Sequence, residues 1–121
     1  MKSYTDLEQS KKLAEILPIE SADMYYFLDP TPAGNIYHIV TPQIDFGVKT
    51  KEPEYNKGDI PAWSLAALLA VLDEPYLFKK FNTWSCYVFN PNNHRFISTD
   101  SAEPVDVCVE MILKLHEIKM F

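Results

Sequence analysis

Between Asp59 and Asp73 the chain carries the run Ile60–Leu72 (IPAWSLAALLAVL), with no charge and a single hydroxyl, that of Ser64. Wound as a helix it would be ~20 Å long at about 1.5 Å per residue, short of the roughly 18 apolar residues that span a bilayer. Such a run belongs in a protein core rather than a membrane. On a helical wheel Leu65, Leu68, Leu69 and Leu72 take one side and Trp63, Ala67, Ala70 and Val71 the other, so both sides need cover. Either the helix is central and buries Leu68 and Leu69 alike, or one side of it, including Trp63, meets a partner.

A chain of 121 residues, 47% hydrophobic, can bury one sizeable core, and a single domain over 1–121 is the expectation. The formal net charge of −6 repels phosphate backbones and anionic lipid, and Arg95 is the single arginine among 11 basic residues. Nucleic acid and membrane are therefore not expected as partners. No apolar segment follows Lys2 near the amino terminus, so a secretory signal is not expected and the expected location is cytoplasmic.

Thr5-Asp6-Leu7-Glu8 fits a capping box with Thr5 as the cap, which predicts a helix from there to about Leu17, ahead of Pro18. Met24–Leu28 and Ile36–Val40 are aromatic and β-branched around the turn-forming DPTPAGN, as two strands of a hairpin would be. The polar stretch Gly47–Asp59 predicts a surface loop. After the central helix, Trp84–Phe89 and Arg95–Ser98 flank NPNNH as a second hairpin. A last helix is predicted from Pro104 to about Lys119, with Val105, Cys108, Val109, Ile112 and Leu115 inward and Glu103, Asp106, Glu110, Lys114 and Glu117 outward. The order predicts an α+β fold, a small antiparallel sheet of about four strands packed with three helices; parallel βαβ units stay open.

Little chemistry is legible. The three glycines, Gly34, Gly47 and Gly58, are scattered, so no phosphate-binding loop can form, and no cofactor is expected. His38, His94 and His116 lack metal-ligand spacing, and no metal site is expected. Cys86 and Cys108 are expected as reduced, buried thiols. Cys108 and His116 share the inner face of the last helix in this reading, about 12 Å apart, too far to act together. Cys86 and His94 are the better nucleophile and base, because a hairpin turning in NPNN could set them opposite each other; no third orienting group is visible. Ser64 fits a helix cap rather than a nucleophile. Asp106 and Glu110 fit a solvated face, and Tyr76, Phe78, Phe81 and Trp84 fit core aromatics around two solvated lysines, Lys79 and Lys80.

One feature exceeds what a small core requires. Val107, Met111 and Ile118 form an apolar flank beside the acidic stripe of the last helix. The functional expectation is thus a non-enzymatic protein-interaction module, binding a protein partner or itself as a homodimer, with Val107, Met111, Ile118 and Trp63 as contact residues. The alternative is a small cysteine-dependent hydrolase or ligand-binding enzyme using Cys86 and His94.

Three segments, Tyr4–Tyr26, Ile60–Leu72 and Glu103–Glu117, resemble a family of small hypothetical proteins found in gut Bacteroidetes and their prophages or mobile elements. At Val107 that family more typically has Ala. The resemblance implies a cytoplasmic bacterial or phage setting and carries over no activity, ligand or site residue.

Overall fold

The computed structural model describes residues 1–41, 43–45, 48–51 and 58–121, and the fold is α+β. In chain order the elements are α1 (Leu7–Ala14), a single 3-10 turn (Ile19–Ser21), β1 (Met24–Thr31), β2 (Gly34–Val40), β3 (Gln43–Asp45), β4 (Val48–Lys51), β5 (Ile60–Ala62), α2 (Leu65–Val71), β6 (Tyr76–Lys80), β7 (Thr83–Asn90), β8 (Arg95–Ser101) and α3 (Pro104–Glu117). Among the described residues all strand pairings are antiparallel. Among the described residues there are two three-stranded sheets, in the orders β2-β1-β5 and β6-β7-β8, and a separate two-stranded pair, β3 with β4, between β2 and β5 in the chain. The expected single sheet of about four strands is therefore corrected to two three-stranded sheets and a ribbon. The predicted loop Gly47–Asp59 is corrected at β4, while its parts at 47 and 52–57 lie outside the described residues.

The apolar run Ile60–Leu72 is not one helix. Ile60–Ala62 joins the edge of β1, where Pro61, lacking an N–H, sits opposite Tyr25. Ser64 then caps α2, its Oγ accepting from the Ala67 N–H at 3.1 Å. The Asp23 carboxylate fixes that cap by accepting from the Ser64 N–H at 2.9 Å and from the Ser64 hydroxyl. Thr5 explains why the segment before Ser64 stays extended. Its N–H donates to the Trp63 carbonyl at 2.9 Å, and its Oγ1 accepts from the Trp63 N–H at 3.1 Å. With Thr5 engaged there, the capping box of α1 shifts one residue, to Asp6 and Gln9. The helix stops at Ala14, and the predicted stretch to Leu17 tightens into i to i+3 bonding, such as Ile16 N–H to the Leu13 carbonyl at 3.0 Å.

One core unites the helices with the second sheet. Leu13, Leu17, Trp63, Leu68, Leu72, Cys86, Val88 and the inner side of α3 form a single buried cluster. α3 lies across β7 and β8, while α2 and α1 pack on α3. Its carboxyl end closes in a Schellman motif: the Met120 N–H reaches the Leu115 carbonyl at 2.8 Å and Lys119 N–H reaches His116 at 3.0 Å, with Lys119 at φ 63. Leu68 is fully buried, whereas Leu69 is only half-buried, so the two do not share the enclosure expected of them. Among the described residues no helix is long and apolar enough to cross a membrane.

Candidate interaction surface

The expected contact flank is corrected by the fold. Val107, Met111 and Trp63 have no solvent exposure, and only Ile118 of that set is exposed. α3 is covered on more than one side because it is wedged between the β6-β7-β8 sheet and the helices α1 and α2. The apolar surplus read from its sequence is thus spent on two intramolecular neighbours.

The alternative enzyme pair is separated. Cys86 sits opposite Thr99 and Leu77 in the sheet, buried against α3, while the exposed His94 lies in the β7–β8 turn, at φ 57. That turn is longer than a two-residue hairpin, and Asn90 and Asn93 each brace it by accepting a backbone N–H two residues ahead. Cys86 instead faces Cys108. Both thiols are free and fully buried. The hydrogen bond between them, together with burial, pushes the Cys108 thiol far above its ordinary range; the same bond draws Cys86 down against burial. With no path to solvent, neither thiol is placed to attack a substrate. His116 is exposed, so its expected place on the inner face with Cys108 is corrected as well. Ser64 is the helix cap the sequence predicts, and Asp106 accepts from Lys2 Nζ at 2.6 Å and from Gln9 Nε2 at 2.8 Å.

The unexpected feature lies on the other side of the second sheet. Strand β6 was not foreseen: Tyr76–Lys80 pairs with β7 from Tyr76 opposite Tyr87 to Lys80 opposite Thr83. Alternation then divides the side chains. Leu77, Trp84, Cys86, Val88 and Ile97 face the core. Tyr76, Phe78, Tyr87, Phe89 and Phe96 share the opposite face, on which Tyr76 is 60% exposed, Phe96 55%, Phe89 44% and Phe78 40%.

These rings hold one another in a connected layer. Phe89 and Phe96, directly opposed across β7 and β8, meet edge-on with centroids 5.4 Å apart. Phe96 also meets Tyr76 at 5.9 Å and Tyr87 at 6.3 Å, and Phe78 meets Tyr87 at 5.3 Å. Edge-to-face contacts at such spacing are favourable beyond their area and stiffen the surface. Tyr76, Phe78, Tyr87 and Phe96 line a depression of about 400 Å³. Taking 150–250 Å² per aromatic side chain, the exposed fractions leave roughly 400 Å² of ring surface to water.

The hairpin tips around this face are conformationally costly. Phe81, between β6 and β7, is 87% exposed and holds φ 57, a left-handed geometry that a bulky residue adopts against steric resistance. The periodicity of Tyr76–Lys80 was the signal available in the sequence, since Tyr76, Phe78 and Lys80 alternate with Leu77 and Lys79. Compared with family models, with curated proteins and with solved structures, the chain matches none.

Proposed function

We propose that this chain is a non-enzymatic protein-interaction module and that it binds its partner through the aromatic face of β6, β7 and β8. The observation that carries this reading is the ring layer itself. Exposed apolar residues are ordinary when scattered, whereas the largest contiguous apolar patch of a monomer, typically roughly 300–600 Å², is often its functional surface. Tyrosine and phenylalanine are also enriched at protein interfaces, and tyrosine is among the residues that concentrate binding energy there. Phe81 adds a second line of support, because an exposed aromatic side chain in a strained backbone position lowers stability without serving the core.

This reading keeps the class of function suggested by the sequence and moves the surface from α3 to the sheet. It is tested by capturing partners with the wild-type chain and with Phe96→Ser and Tyr76→Ser. The expected result is a partner retained by the wild type and lost by both variants, with slowed amide exchange over 76–78 and 87–89 in the complex. Retention of that partner by both folded variants would defeat the reading.

A further inference from the structure

Resting on that reading, we propose that the aromatic face receives an extended, proline-rich segment of its partner, with a basic side chain of that segment seated in an acidic corner beside the rings. Two adjoining depressions carry the inference. The first, of about 400 Å³, is lined, among the described residues, by Tyr76, Phe78, Tyr87 and Phe96. The second, of about 440 Å³, shares Tyr76 and Phe96 with it and adds Phe89, Pro91 and the acidic pair Asp73 and Glu74. Among the described residues neither Asp73 nor Glu74 has an ion-pair partner, and both are exposed. An apolar groove continuous with an uncompensated double negative charge asks for a ligand that is apolar along its length and cationic at one end.

The chemistry of the groove narrows the ligand further. It offers ring faces and edges, and the Tyr76 and Tyr87 hydroxyls, which have no hydrogen-bond partner among the described residues. A polyproline II segment presents pyrrolidine rings to pack on aromatics and outward backbone carbonyls that accept from phenols, and it is ordered before it binds. An arginine at its end would meet Asp73 and Glu74 through charge-assisted hydrogen bonds. A second copy of this chain fits less well. Roughly 400 Å² is about half of the ~800 Å² per partner that a stable interface buries, and each copy would bring the same acidic corner and a net charge of −6.

The test uses the full chain and two labelled twelve-residue peptides, one proline-rich with terminal arginines and one with glutamine in place of each arginine, followed by fluorescence anisotropy. The arginine peptide is expected to bind saturably below about 1 mM and at least ~5-fold more tightly than the glutamine peptide. Asp73→Asn with Glu74→Gln should erase that preference while leaving the glutamine peptide's affinity unchanged, and Phe96→Ser should lose both peptides with the far-UV spectrum intact. No saturable binding of either peptide, or equal binding of the two, would overturn the assignment. If neither peptide binds but a captured protein, or a dimer seen by sedimentation equilibrium, is lost in Phe96→Ser, the extended proline-rich ligand is wrong while the aromatic face remains the contact. If Phe96→Ser changes nothing in any arm, both readings fall.

Discussion

The sheet of β6, β7 and β8 has two faces drawn from alternate residues of the same strands, and one is sealed while the other is left open. Val88 and Phe89 are chain neighbours; Val88 is 3% exposed and Phe89 44%. The inner face meets α3, whose Cys108 lies on Cys86 and whose Val107 carbonyl accepts from Thr99 Oγ1 at 3.0 Å. On the outer face, among the described residues, the rings pack chiefly on one another and border Asp73, Glu74 and Pro91. Hydrophobicity therefore does not say which face is core. A sheet can carry apolar residues on both sides, and the one that a helix covers is decided by where the helix lies.

The largest test of this contrast is a charge on each face. Val88→Asp strands an unpaired carboxylate in the core and should unfold the chain, costing more than ~4 kcal/mol, while Phe89→Asp, which loses a half-buried ring, should cost ~1–3 kcal/mol and leave the chain folded in urea titrations. Comparable losses would show that the outer face is covered too. Met111→Glu belongs with the first of these and should also unfold the chain, since Met111 is fully buried.

Next in size is a pair on α2. Leu68→Ala should cost ~2–5 kcal/mol, and Leu69→Ala no more than about half of that, because Leu69 is half-buried and leaves less of a cavity. Equal losses would mean that the covering of α2 extends further than it does here. On the inner face, Cys86 and Cys108 should react with iodoacetamide only at the rate of unfolding, and together. Native labelling of Cys86 alone would breach the sealed face and revive the thiol as a nucleophile.

A smaller effect runs in the opposite direction at the tip of the outer face. Phe81→Gly removes the cost of φ 57 and should raise stability by ~0.5–1 kcal/mol, with weaker partner binding if Phe81 contributes to the contact. Unchanged or reduced stability would remove the strain argument.

The smallest effect lies off the sheet, in the polar clasp of Lys2, Asp6 and Asp106. Burial raises the Asp6 carboxyl, but the Gln9 N–H and the Lys2 ammonium outweigh it and hold the group below its ordinary value of 3.8. A depressed carboxyl contributes stability above that ordinary value and loses it as pH falls through the folded one. Asp6→Asn should therefore flatten the acid limb of the stability curve below about pH 4 and leave the inner and outer face comparisons untouched. An acid limb as steep as that of the wild type would assign the loss to other carboxyls.

Much of the local structure was legible in the sequence. Pro104 at the first turn of α3, the strands from Met24 and Ile36, and the hairpin around NPNN follow from turn chemistry and periodicity, which act over a few residues. The Ile60–Leu72 run was half legible. Ser64 marks a helix start, yet the run's apolar uniformity masked the strand before it, because the bonds that hold Trp63 extended come from Thr5, far away in the chain. The apolar flank of α3 was misread as exposed for a related reason. Val107 and Met111 exceed one face of α3, and a helix wheel cannot tell a second intramolecular neighbour from a partner.

What the sequence by itself determined is the α+β class, the inward set of α3, the cap at Ser64 and the acidic balance, each fixed by short-range geometry or by a sum over residues. Only the tertiary structure decided that α3 is wedged between sheet and helices, that Cys86 faces Cys108 and not His94, and that five rings of β6, β7 and β8 face water. Strand pairing and helix placement bring together residues whose separation along the chain carries no periodic trace, and the side on which α3 settled made one apolar face a core and left the other exposed.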